Sequence, residues 1–207
     1  MTQAVLAEVA SRVPSPGRPV LMGVDGPDGA GKTTFADALA ELLAADGRTV
    51  VRASVDGFHH PRSYRHAEGR TAASVWARHF DLVTVRERLL DPWRAGPGSA
   101  YVTRVHDVAT DRPVEETPAA VPGLGVLVVD GLFLQRPELV GAWDLVVYLD
   151  VPDELGLVRV EERDGPLDDH ERYAGAQRTY RQQCAPLEHA DVVVDNRDLA
   201  RPRLVGR

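Results

Sequence analysis

One cysteine, Cys184, stands in the 207 residues, which excludes an intramolecular disulfide and fits a reducing compartment. No stretch approaches the roughly 18 uninterrupted apolar residues that span a bilayer. The opening MTQAVLAEVASRVPSPGRP has no basic run followed by an apolar core, so no signal peptide is read and a cytoplasmic protein is expected. Positive charge is also short, with 24 Lys and Arg against 31 Asp and Glu for a net charge of −7. That balance disfavours a nucleic-acid partner, whose binding depends on cationic neutralisation of phosphates. The scarcest residue of all is lysine: 23 of the 24 basic residues are arginine, and Lys32 stands alone.

What is present reads as one soluble α/β domain over 1–207. Val20 to Val24 and Arg48 to Val55 are of strand length, and Val126 to Val129 and Leu145 to Leu149 are continuous apolar runs suited to central parallel strands. Val192 to Val194 is a last short strand. Helical spacing marks Thr2 to Val13, Thr33 to Ala45, Leu82 to Leu90, Asp153 to Glu162 and Arg172 to Cys184. Pro14, Pro16 and Pro19 close the first of these. Strands alternating with helices imply a three-layer α/β/α domain with a mostly parallel central sheet. The stretch 61–122 lacks that alternation and is expected to form a small acceptor-side insert over the sheet edge. Within it, Arg94 to Ser99 reads as a loop and Tyr101 to Val108 as an exposed strand. The tail from Arg201 to Arg207 reads as a solvated end.

Gly26-Pro27-Asp28-Gly29-Ala30-Gly31-Lys32-Thr33 fits G-x-x-x-x-G-K-[ST], with an apolar strand before it and a helix after it. In such a loop the glycines let successive N–H groups face one anion, and the helix N-terminus adds its partial positive charge. The segment Gly26, Asp28, Gly29, Ala30, Gly31, Lys32, Thr33 and Thr34 is therefore the expected ATP-binding loop. Lys32 would reach the β- and γ-phosphates, and Thr33 would offer its hydroxyl to Mg²⁺. A compact ammonium fits inside the loop where a planar guanidinium would not, which accounts for a lysine here in an arginine-rich chain. Asp130, at the end of an apolar strand, is the candidate second metal ligand, although Asp-Gly is also a common turn pair.

Asp56 ends the second strand and so lies at the carboxyl edge of the sheet with the loop. There an aspartate can accept the proton of an acceptor hydroxyl and orient it for in-line attack. A plain Asx-turn is the competing reading.

The segments GPDGAGKTT, DGFHH, VLVVDG and R-x-x-x-R-D (Arg159 to Asp164) occur in the order seen in P-loop small-molecule kinases of the uridine kinase, phosphoribulokinase and pantothenate kinase-like group. The resemblance covers roughly Val20 to Asn196. It implies that Asp56 is the general base and approaches the metal, with Phe58 and His59 beside the acceptor. It implies that Asp81, after Phe80, holds ribose hydroxyls. The group usually has glutamate where Asp130 stands, and His106 and Asp111 fall where it presents a tyrosine and a histidine to the base. Arg159, Arg163 and Arg172 would belong to a lid over 159–175, where arginine forks suit the spread charge of a transferring phosphoryl group. Of these, Arg159 is assigned to ATP, Arg163 to catalysis and Arg172 to the acceptor.

The function expected is transfer of the ATP γ-phosphoryl group, with Mg²⁺, to a hydroxyl of a small metabolite, a nucleoside first. Pantothenate or another vitamin-like acceptor is the nearest variant, and a P-loop ATPase switch without an acceptor is the alternative. A homo-oligomer is left open.

Overall fold

The computed structural model of the chain describes residues 3–15, 17–166 and 170–206. Five strands form the centre: β1 (Val20–Asp25), β2 (Val50–Ser54), β3 (Val126–Asp130), β4 (Leu145–Asp150) and β5 (Val192–Asp195). A short sixth, β6 (Arg203–Leu204), extends the sheet to the order β6-β5-β4-β1-β3-β2. Every pairing is parallel except β6 on β5. The tail expected to be a solvated end is thus in part an edge strand, with Leu204 opposite Val194. Two residues of ladder leave too short a pattern for sequence periodicity to register.

The helices that matter for the site are α1 (Gln3–Arg12), α2 (Lys32–Ala45), α3 (Ala72–Arg78), α4 (Asp153–Asp164) and α5 (His170–Cys184). The expected first helix began at Thr2, which lies outside the described residues, as does Pro16. Strand residues sort by parity, because successive side chains point to opposite faces. Met22, Val24, Val126, Val128 and Val147 pack with α1 and α2 through Val9, Phe35 and Leu39. Leu21, Leu127, Val129, Val146 and Tyr148 face the other way, onto α5 and the 61–122 stretch. Burial on both faces is why the central strands read as unbroken apolar runs.

The 61–122 stretch supplies Val75, Phe80, Val85, Leu89, Trp93 and Tyr101 to that second core, so it covers a face of the sheet and does not merely perch on its edge. Its helix runs on past Leu90, with a π turn over Arg86–Leu90 and a further turn over Asp91–Ala95. Arg94, expected in a loop, is therefore helical and pairs with Asp144 at 2.8 Å. Tyr101 to Val108 is not one exposed strand. Ala100–Tyr101 pairs with Ala119–Ala120, and His106–Asp107 with Arg112–Pro113. Tyr101, Val102 and His106 are buried, Tyr101 edge-on to Trp93, so adjacent residues turn inward on the insert and the alternation did not mark a single exposed face.

Candidate active site

The loop between β1 and α2 is shaped mostly by backbone. Gly31 caps α2 in the left-handed conformation (φ 81°) and the helix carries no side-chain cap, so its first N–H groups are left to face a ligand. Lys32 Nζ donates to the Pro27 carbonyl at 2.7 Å, closing the loop on itself. From outside, Asn196 Nδ2 donates to the Ala30 carbonyl at 2.7 Å. Gly29 has φ 68°, and a Cβ there would stand 2.2 Å from the Gly156 carbonyl, so bare backbone is required for α4 to lie against the loop. Asp28, Gly29, Gly31, Lys32, Thr33 and Thr34 line one cleft of about 160 Å³ together with Asp56, Asp130 and Arg163. Ala30 is fully buried and supports the loop from behind.

Thr33 and Asp130, 97 positions apart, meet in that cleft. Thr33 Oγ1 donates to Asp130 Oδ2 at 2.7 Å, and Asp130 is 2% exposed. A hydroxyl and a carboxylate beside a phosphate loop form the hard-oxygen donor set that suits Mg²⁺. The other oxygen of Asp130 accepts from Arg52 Nη2 at 2.8 Å. Arg52 escaped the sequence reading, although an arginine inside the apolar run of an edge strand was a signal.

Asp56 sits on a 3₁₀ turn directly after β2 and is exposed to the cleft. The turn is capped by Ser54 Oγ, which accepts from the Asp56 amide at 3.3 Å. Among the described residues the Asp56 carboxylate accepts no hydrogen bond, so it does not build an Asx-turn. Asp28, on the loop, accepts from Gln177 Nε2 at 3.2 Å. Its pKa is raised, first by desolvation and then by the nearby charge of Asp56, against the pull of Lys32 and Arg163.

Beneath the loop lies a carboxylate the sequence did not single out. Asp25 is wholly buried, and its pKa is raised by that burial. Three donors converge on it: the Gly26 amide at 2.8 Å, Gln135 Nε2 at 3.0 Å and the Tyr180 hydroxyl. Tyr180 and Gln177 both come from α5, so this helix is fastened to the loop at two points.

The three lid arginines do not converge. Arg159 spends its guanidinium on main-chain carbonyls, Gly29 at 3.1 Å, Asn196 at 3.1 Å and Arg197 at 2.7 Å. It braces the loop through the Gly29 carbonyl and is not among the residues lining the phosphate cleft. Arg163 does line the cleft, with Asp164 holding its guanidinium at 2.6 and 2.8 Å. Arg172 lies on the acceptor side, over the Tyr173 ring at 4.8 Å and 3.5 Å from His66 Nε2. Residues 167–169, inside the expected lid, lie outside the described residues.

The acceptor-side candidates are mostly sealed. Phe58 is fully buried, His59 is 7% and His106 5% exposed. His59 Nδ1 lies 2.7 Å from the Asp56 carbonyl, and its ring meets His79 edge-on with centroids 4.7 Å apart. Burial holds the His59 pKa below its ordinary value and drives that of His79 down to about 2. His106 Nε2 lies 3.4 Å from Asp111, which also accepts from the Arg62 amide at 2.8 Å. Asp81 caps the following turn with both oxygens, accepting from the Thr84 amide at 3.0 Å and the Thr84 hydroxyl at 2.7 Å. Only Asp56 of the acceptor-side set therefore faces the phosphate cleft.

Known proteins fit this geometry. The chain is 31% identical over 149 residues to a phosphoribulokinase from Synechocystis, covering 71% of this chain and 42% of that protein. A uridine kinase from Clostridium novyi is 23% identical over 86% of this chain and 87% of its own. A solved structure described as a possible uridine kinase from Bacillus stearothermophilus superposes with a TM-score of 0.73 at 25% identity, covering 93% of this chain and 96% of that one. No protein-family model matches the chain. Fold, loop and relatives are those of P-loop kinases, although the chain spans less than half the length of the phosphoribulokinase it matches. The chain is thus similar to proteins of the uridine kinase/phosphoribulokinase-like group.

Proposed function

We propose that the chain transfers the γ-phosphoryl group of ATP, bound with Mg²⁺, to a hydroxyl of a small metabolite. The observation that carries this reading is the Asp56 carboxylate, uncommitted and exposed in the one cleft that also holds Lys32, Thr33, Asp130 and Arg163. Loop amides and Lys32 would bind the phosphates, and Thr33 with Asp130 would hold the metal, whose charge neutralises that of the phosphates. Asp56 would orient the acceptor hydroxyl and take its proton, while Arg163 would meet the charge that develops on the transferring group. In a P-loop switch the group at that place would orient water, so stimulation of ADP release by a small hydroxyl compound separates the two readings.

A nucleoside is the first acceptor to test, on the strength of the relatives named uridine kinase. A smaller hydroxyl compound is the second reading, favoured by the burial of Phe58, His59 and His106 and by the double commitment of Asp81 to Thr84. Asp56→Asn tests the shared core of both. It keeps size and one acceptor oxygen but cannot take the proton, so kcat should fall by roughly 10²–10⁴ with ATP affinity unchanged. A kcat within threefold of the parent, in a variant whose circular dichroism is native, would remove Asp56 from the chemistry.

A further inference from the structure

The tie between Arg52 and Asp130 bears on how a metal is held. Arg52 lies on the edge strand β2, opposite Val128 in the ladder, and its side chain folds back over the strand ends. Nη1 donates to the Val128 carbonyl at 2.6 Å and the Ala53 carbonyl at 3.1 Å, and Nε donates to Asp37 at 2.9 Å. Three other acceptors fix the fork, so Nη2 meets Asp130 Oδ1 from a rigid mount. Oδ2 is committed as well. If Thr33 offers an Oγ1 lone pair to a cation, its proton still needs an acceptor, and Asp130 Oδ2 is 2.7 Å away.

We infer that Arg52 is a positioning residue of the metal site: it reserves one oxygen of Asp130, leaving this carboxylate to serve a divalent cation through the Thr33 hydroxyl and not as a direct ligand. The inference rests on the phosphotransferase reading above. Its consequence is a site that holds free cation weakly, because a fixed guanidinium charge stands beside it and both oxygens of Asp130 are engaged. The cation is then carried mainly by the nucleotide phosphates and arrives and departs with them.

The sign of the effect separates this from a scaffold role. An arginine that merely ordered Asp130 would, on removal, weaken cation binding. An arginine that reserves an oxygen and adds repulsion would, on removal, strengthen it.

The experiment is a Mn²⁺ titration of the whole chain, in excess over a non-hydrolysable ATP analogue, reading unbound Mn²⁺ by electron paramagnetic resonance against the same titration of the analogue alone. Arg52→Met and Arg52→Gln should bind Mn²⁺ tighter, on the order of tenfold for loss of one nearby unit charge. Arg52→Lys, which keeps the charge, should match the parent. Should Arg52→Met fail to fold by circular dichroism, the milder Arg52→Gln gives the same reading. Binding in Arg52→Gln equal to or weaker than the parent overturns the inference, as does Arg52→Lys tightening as far as Arg52→Gln. A parent that shows no nucleotide-dependent Mn²⁺ binding sinks the phosphotransferase reading itself, and the two failures are thereby told apart.

Discussion

The phosphate end and the acceptor side of this molecule are built on opposite plans. At the proposed phosphate end the candidate groups are backbone amides and a few side chains left accessible: Lys32, Thr33, Asp56 and Arg163 face one open cleft. Their supports lie behind them, with Asp25 buried under Gly26, Asn196 buried on the Ala30 carbonyl and a half-buried Arg159 on the Gly29 carbonyl. On the acceptor side the polar groups are themselves the packing. His59 and His79 stack edge-on among Phe80 and Tyr173, and Asp81 is spent on a helix cap. The contrast teaches that a site for a fixed polyanion can be pre-formed from backbone, whereas the acceptor surface is settled by how the insert packs.

The largest break in this contrast should come from Lys32→Met. A preorganised donor to developing charge is worth roughly 10²–10³ in kcat, and this chain has no other lysine to replace it. Steady-state kinetics with native circular dichroism checks it, and a loss under tenfold would mean that Lys32 is not aimed at the phosphates. The same lysine should be the only side-chain amine that an amine-reactive nucleotide analogue labels, with ATP and Mg²⁺ protecting it.

The packed acceptor side should reveal itself in acid. His79 is held neutral, its pKa lowered to about 2 by burial and by the nearby charges of His59, Arg65 and Arg172. The unfolded chain takes up this proton below about pH 6.5 and the folded chain does not, so stability is full above that pH and falls as pH drops toward 2. The slope for this group is about 1.4 kcal/mol per pH unit. Urea unfolding between pH 7.5 and 5 should show it, and His79→Phe should flatten the profile. An unchanged profile would mean that His79 is protonated in place and that the region opens readily.

Asp81→Ala is the smallest effect and the one that sharpens the comparison most. If Asp81 only caps the turn, the substitution costs about 1 kcal/mol of stability and leaves every acceptor KM alone. If it also holds a vicinal diol, the KM of ribose-bearing acceptors should rise roughly ten- to a hundredfold, the worth of a hydrogen bond to a charged group. An unchanged KM across such acceptors removes the nucleoside and leaves the smaller hydroxyl compound.

The sequence by itself determined the parallel sheet, because strands covered on both faces must be apolar throughout, as Val126 to Val129 and Leu145 to Leu149 are. It also determined the phosphate loop, since Gly26 to Thr34 is contiguous and its geometry follows from local backbone freedom. Only the tertiary structure decided the rest. Thr33 and Asp130 lie 97 positions apart, and Asp25 and Tyr180 155 apart, so their meeting depends on strand order and on where α5 docks. Arg159 and Arg163 sit one helical turn apart in the same motif, yet one grips carbonyls and the other lines the cleft. A side chain as long as arginine reaches whatever acceptor stands nearest, and which acceptor that is belongs to the packing of distant segments and not to local spacing.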